Sequence, residues 1–262
     1  MIETITYENV IGGEVNVSLM KQRLRVYVYA FDGLLVDTGP SRLRSQLIPF
    51  FRQLSLQQVA LTHYHEDHTG LAPWLGQDQG LPVYIHEQGM DLCRSHAVLP
   101  LYRRLFWGAR HAFEPLPIPQ QIETQKHSLQ VIYTPGHSHD HVVLLDVEHG
   151  RLFSGDLYLA SRPKTMMPHE SVKQIMQSLE TVLANDFDTV FCCHAGVVQD
   201  GKRMLAQKLD YLQNVQGEVL HLYRQGMTAK AISKKLYPRR YPIVYFSGNE
   251  ISPVHIINSI LE

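Results

Sequence analysis

No apolar run in the 262 residues approaches the roughly 20 needed to span a bilayer. The opening stretch, MIETITYENV, lacks a basic n-region followed by an apolar h-region, so no secretion signal is expected. Cysteine is scarce: Cys93 stands alone and Cys192 and Cys193 are adjacent, an odd set of three. Such a set builds no disulfide framework and implies a reducing, cytosolic compartment. Charge of one sign is missing too, with 24 basic residues against 25 acidic ones, which offers no electrostatic pull toward nucleic acid or an anionic membrane. There is no G-x-S-x-G elbow to present a serine nucleophile, no internal repeat and no low-complexity tract. What remains is a chain able to bury a substantial core, whose length suits one large domain as well as two small ones. It has one surplus, fifteen histidines.

Three of those histidines crowd into LTHYHEDHTG, residues 61–70, with a glutamate and an aspartate between them. So dense a polar set cannot be ordinary core, because each unpartnered buried polar group costs about 2–7 kcal/mol. Leu56 to His63 has the apolar, β-branched character of a buried strand, so the polar residues begin where a strand ends, the place where open α/β folds put their chemistry. The following Thr69 to Gly76 reads as a short helix with Thr69 as its N-cap. Glu66 is expected to face solvent.

Strand patterns recur at Glu14 to Leu19, Leu24 to Phe31 and Gly33 to Gly39, with a turn at Asp32-Gly33 between the last two. Residues 41–54 suit a helix that Pro49 should kink or split. Further strands are expected at Leu129 to Thr134, in a hairpin over 141–156 turning at His149-Gly150, and finally at Asp188 to His194. The helix over 171–183 puts Val172, Ile175, Met176, Leu179, Val182 and Leu183 on one face. Two groups of strands with helices between them suggest a layered αββα arrangement rather than a purely parallel sheet. Residues 1–200 read as the main domain. Within it, residues 88–119 depart from the strand pattern and suit a lid or insert. Residues 201–262 read as a helical, basic extension packed on the domain.

His63 and His65, two apart in an extended segment, point the same way. His137, Asp156 and His194 each follow another expected strand. A first metal held by His63, His65 and His137 and a second held by Asp67, His68 and His194, with Asp156 bridging, is chemically balanced. The reaction such a centre suits is hydrolysis by water that two divalent metals make nucleophilic at neutral pH, with Asp67 orienting that water and shuttling its proton. The imidazole-rich shell favours zinc, while the oxygen ligands also admit manganese or iron.

HYHEDH, then GH, then GD, then CHAG, in that order and at strand ends, resembles the metallo-β-lactamase superfamily, in particular its glyoxalase-II-like hydrolases. The resemblance covers about 160 residues and includes LLVDTG before the first motif. It implies an αβ/βα sandwich with a dinuclear site at one edge, and it suggests Asp37 as support for the ligand loop, although Asp-Thr-Gly is also a good turn by itself. His139 and His141 are expected to be loop residues, Cys192 and Cys193 small buried hydrophobes, and His86, His96, His111, His127 and His169 unconnected with the centre. The family's fold does not name a substrate: small esters, thioesters, lactones and phosphodiesters are all candidates. LYLASRPKTMMP follows Asp156 in place of the Gly-Cys-Gly-Arg stretch of glyoxalase II, which argues against a glutathione thioester. Two other activities stay open, a mononuclear-iron persulfide dioxygenase and an RNA- or nucleotide-processing nuclease, the latter opposed by the balanced charge. Tyr158 is a candidate substrate contact, displaced by one residue from the position of the tyrosine in related lactonases. Trp107 is another, on an aromatic face flanked by Arg103, Arg104 and Arg110 that suits an apolar substrate carrying a carboxylate or phosphate. The expected partners are a small-molecule substrate and, through the helical extension, a second copy of the chain; no membrane is expected.

Overall fold

The computed structural model describes residues 2–19, 22–239 and 241–262. The chain opens as an antiparallel meander of β1 (Glu3–Tyr7), β2 (Val10–Leu19), β3 (Gln22–Phe31) and β4 (Leu34–Val36). The turn between the last two strands is the expected one: Asp32 and Gly33 take φ of +46° and +84°, the left-handed pair a two-residue hairpin needs. β5 (Gln58–Ala60), β6 (Val83–Ile85) and β7 (Leu116–Pro117) then add in parallel, completing seven strands in sequence order among the described residues. Helices α1 (Arg44–Phe51), α2 (Glu66–Thr69), α3 (Glu87–Cys93) and α4 (Leu101–Trp107) lie in the connections.

A second sheet contains β8 (Gln121–Glu123), β9 (Ser128–Tyr133), β10 (Val142–Asp146), β11 (Arg151–Gly155), β12 (Thr189–Cys192) and β13 (Gly196–Val198). The crossover from β11 to its parallel neighbour β12 carries α5 (Val172–Leu183). After β13 the described chain is helical: α6 (Gly201–Arg224), α7 (Ala229–Leu236), α8 (Pro242–Phe246) and α9 (Pro253–Leu261). None of these helices is long and apolar enough to cross a membrane.

The layering follows from alternation along strands apolar on both faces. Tyr27, Tyr29 and Phe31 of β3 point between the sheets to meet Leu144, Phe153 and Phe191 of the second sheet. Val26, Val28 and Ala30 point outward, against Leu47, Phe50 and Phe51 of α1 and Phe106 of α4. In the same way Val143, Leu145, Leu152 and Val190 face away from the first sheet and meet Ile175 and Leu179 of α5, Leu205 and Leu212 of α6, and Ile256 of α9. The result is an αββα sandwich in which the C-terminal helices share one core with α5. Each large side chain so buried contributes about 1.5–3 kcal/mol.

Four local expectations are corrected. Pro49 does not split its helix; α1 runs on to Phe51, and the break falls earlier, where a 3₁₀ turn (Ser41–Leu43) leads into it. So close to the helix end, the missing proline amide costs only one late hydrogen bond. β12 is not the last strand, since β13 pairs antiparallel beside it. Residues 88–119 are not foreign to the strand pattern either, because β7 extends the first sheet. Finally, Thr69 does not begin a helix but ends α2, which starts at Glu66 inside the polar motif. The Thr69 hydroxyl donates to the carbonyls of Tyr64 and His65 instead of capping a later turn.

Candidate metal centre

The polar residues gather at one edge of the sandwich, in the loops leaving β4, β5, β9, β11 and β12. Asp37 follows β4, the 62–68 turn follows β5, His137 and His141 lie between β9 and β10, Asp156 follows β11, and Cys193 and His194 follow β12. Local geometry demands particular residues here. Gly155 has φ of +47°, and a Cβ there would lie 2.7 Å from His141 Nε2 and 2.8 Å from the Thr62 side chain, so glycine alone lets the loop carrying Asp156 pass. Asp37 sits at φ of +58°, a strained conformation for a non-glycine residue, and its side chain shows what holds it there. One carboxylate oxygen accepts the Thr62 amide at 2.8 Å and the other lies 2.8 Å from His68 Nδ1.

The seven expected donors come together in two lobes. In the first, His65 Nδ1 stands 2.9 Å from His63 Nε2 and 3.1 Å from His137 Nε2, which itself is 3.2 Å from Asp156 Oδ2. In the second, His194 Nε2 is 3.3 Å from Asp67 Oδ2 and 3.5 Å from Asp156 Oδ1, and His68 Nε2 is also 3.5 Å from Asp156 Oδ1. Asp156 thus turns one oxygen to each lobe. Nitrogens around a tetrahedral ion with bonds of about 2.0–2.1 Å stand roughly 3.3 Å apart, close to the separations seen. His68 Nε2 and Asp156 Oδ1 are buried without a hydrogen-bond partner. Orphaned polar atoms are rare in folded proteins and need a cause; convergence on a shared cation is one. The His63, His65, His137 set and the Asp67, His68, His194 set each have the spacing to hold an ion.

The electrostatics agree. Burial pushes His63 and His65 well below the ordinary histidine range, leaving them neutral, as imidazole ligands must be. Burial opposes charge on His68 as well, but the Asp37 and Asp156 carboxylates overrule it and hold that ring well above the usual value. His194 is raised to about 9 against its own burial, by Asp156 and Asp67. Burial would raise Asp156 too, yet His194, His68 and His137 keep it well below the usual carboxylate range. A pocket of ionised carboxylates that draws protons onto its histidines is one that seeks positive charge.

The supporting residues were only partly foreseen. Asp37 sits in a left-handed turn and also contacts Thr62 and His68 of the 62–68 segment, so the turn and the contacts occur together. His141 is not a free loop residue: it is fully buried, its Nδ1 lies 2.8 Å from the Thr134 hydroxyl, and its Nε2 accepts the Asp156 amide. Glu170 was not anticipated at all, though its Oε2 lies 3.1 Å from His137 Nδ1. Its only sequence signal was a glutamate just ahead of α5. Glu66 reverses its expectation. It is 3% exposed, and Arg103 of α4 forks onto its two oxygens at 2.6 and 2.7 Å. Arg110 is also committed, donating to the carbonyls of Leu92, Cys93 and Ser95. Of the three arginines expected beside Trp107, Arg104 alone is exposed. Trp107 does reach the centre, its ring 6.3 Å from that of His194. Tyr158, the other candidate contact, is 5% exposed and packed in the core with residues of α5 and α6. His139 remains exposed, Cys192 is buried, and Cys193 donates to Asp37 at 3.1 Å. His169, which had no motif context, lies at the rim with its ring 5.7 Å from His65.

A four-layer sandwich with a two-lobed His/Asp centre on one edge defines a metalloprotein class. The chain belongs to the metallo-β-lactamase superfamily, whose family model matches residues 26–194. The atrochrysone carboxyl ACP thioesterase of Aspergillus fumigatus is 25% identical over 191 residues, covering 71% of this chain and 55% of its own length. The Bacillus subtilis protein named "Probable metallo-hydrolase YqjP" is 25% identical, and the match covers 90% of this chain and 88% of that one. Among solved structures, a beta-lactamase domain protein from Burkholderia ambifaria superposes with a TM-score of 0.72 at 19% identity, over 99% of this chain and 87% of that one, which shows the shared fold. The chain spans little more than half the length of the fungal thioesterase.

Proposed function

We propose that this protein is a cytosolic metal-dependent hydrolase that holds two divalent ions and cleaves a small thioester. The observation that carries the reading is Asp156, whose two oxygens face two separate sets of donors. His63, His65 and His137 would hold one ion and Asp67, His68 and His194 the other. Zinc suits this shell, with manganese or iron as alternatives. When bound, the ions supply Lewis acidity and bring the pKa of water near neutrality. The chain's own groups do the rest. Asp67 takes the proton of the attacking water and delivers it to the leaving group. Water's oxygen bonds the acyl carbon, the C–S bond breaks, and the thiol departs with that proton. Asp37 and Glu170 orient the rings of His68 and His137, as carboxylates behind ligand histidines do.

Thioester is chosen over ester, lactone or phosphodiester because curated relatives such as the Aspergillus fumigatus protein are named as acyl-carrier thioesterases. The order of motifs supports a glyoxalase-II-like hydrolase, while the segment after Asp156 speaks against glutathione as the carrier. The test is elemental analysis of purified protein beside turnover of simple thioesters. Two metal equivalents per chain, activity lost on chelation and restored on adding metal, are expected. A single iron per chain with oxygen consumption on a persulfide would replace this reading with the dioxygenase one.

A further inference from the structure

Next to the centre is a cavity of about 60 Å³. His137 and Asp156 border it, Glu170 and Lys208 add polar groups to its lining, and apolar side chains, among them Leu159, Val172, Ile175 and Ile256, form most of the rest. Leu212 and Ile256 come from α6 and α9, so the C-terminal helices build part of a space bordered by two of the candidate metal ligands. We infer that this cavity seats the substrate's acyl group and restricts it to a short apolar chain, an inference that rests on the thioester reading.

Three features support it. The first is position: the cavity is bounded by His137 of one lobe and by Asp156, whose oxygens face both lobes. The second is size, since a water occupies about 10–15 Å³ of such volume, leaving room for roughly four to six water-sized groups, enough for a short chain only. The third is rigidity. Lys208 of α6 is buried, and its ammonium donates to the carbonyls of Leu157 at 2.6 Å and Tyr158 at 2.9 Å. That clamp holds the turn on which Leu159 sits at φ of +51°, a conformation a branched residue adopts only under constraint. A buried lysine and a strained leucine therefore fix one wall of the cavity, and a rigid apolar wall discriminates by length. One methylene too many or too few in such a pocket changes kcat/KM about 10–200-fold.

The test uses metal-loaded protein and the N-acetylcysteamine thioesters of acetate, butyrate and hexanoate. The wild type should cleave acetyl and butyryl at least 10-fold better than hexanoyl, one misfit methylene's worth. Leu159→Ala, which opens the wall at a half-buried position, should raise the hexanoyl-to-acetyl ratio by about 10-fold or more. Ile256→Phe, which fills the cavity, should lower the butyryl-to-acetyl ratio by a similar factor. A binding readout runs beside turnover: butyrate should raise the melting temperature of the wild type more than acetate does, a difference that Ile256→Phe removes. Should Ile256→Phe fail to fold, Leu159→Ala alone decides. Ratios within about twofold of wild type in the folded variants overturn the acyl pocket while leaving the hydrolase reading intact. A wild type that cleaves none of the three esters overturns both.

Discussion

Arg103→Met tests how the ligand loop is braced. Glu66 lies between His65 and Asp67, and its carboxylate is matched by the Arg103 fork, with Glu250 a further 3.6 Å from the guanidinium. Burial lifts the Glu66 carboxyl above its ordinary range even with Arg103 against it, and burial of Arg103 is outweighed by Glu66, which keeps the guanidinium charged. With side-chain exposures of 13% for Arg103 and 3% for Glu66, water cannot replace the missing partner. Removing one member of such a pair costs about 3–5 kcal/mol. At about 2–4 °C per kcal/mol for a chain of this size, the melting temperature should fall by roughly 6–20 °C. The loss should depend on pH. An unpaired buried Glu66 has a raised pKa and is stabilised by protonation, so destabilisation is smallest near pH 4 and grows as pH rises through the ordinary carboxylate value of about 4.3 toward the raised one. Glu66→Gln combined with Arg103→Met removes both charges of the pair and should recover a large part of the loss. Calorimetric melts of the four proteins in this cycle, at pH 5 and pH 8, measure the coupling directly. If Arg103→Met melts within about 2 °C of wild type at pH 8, the pair is a spectator and the bracing argument is wrong.

Asp67→Ala removes a second-lobe donor and the proposed proton carrier together, and turnover should fall by about 10²-fold or more; an unchanged kcat at saturating metal would show that Asp67 does neither. Glu170→Gln removes the carboxylate behind His137 and should weaken metal binding by about 10–100-fold, read by competition with a chromophoric chelator, with little change in melting of the metal-free protein. Trp107→Ala separates a cleft wall from simple packing: a raised KM at constant melting temperature supports substrate contact, whereas a large drop in melting temperature with unchanged kinetics of the folded fraction assigns Trp107 to the core.

Much of the centre was legible in the chain because its donors are tied to local pattern. His63, His65, Asp67 and His68 fall within six residues, from the end of a strand into the first turn of α2, and His137, Asp156 and His194 each stand just past a strand, so residue type and strand position together brought them to one edge. The αββα layering was legible for the same reason: alternating large side chains along β3 and β10 demand cover on both faces. What the tertiary structure decided concerns partners distant in sequence. Glu66 looked solvent-facing because its partner, Arg103, lies 37 positions away on a helix whose docking no periodicity predicts. Arg103 looked free to meet a substrate anion for the same reason. Glu170 behind His137, His141 behind Asp156 and Lys208 behind the Leu157 turn were hidden likewise, since each acts through a hydrogen bond between segments that meet only after the sheets have stacked. Hydrophobic periodicity reports which face of an element is buried; it carries no information about which polar group waits on the other side.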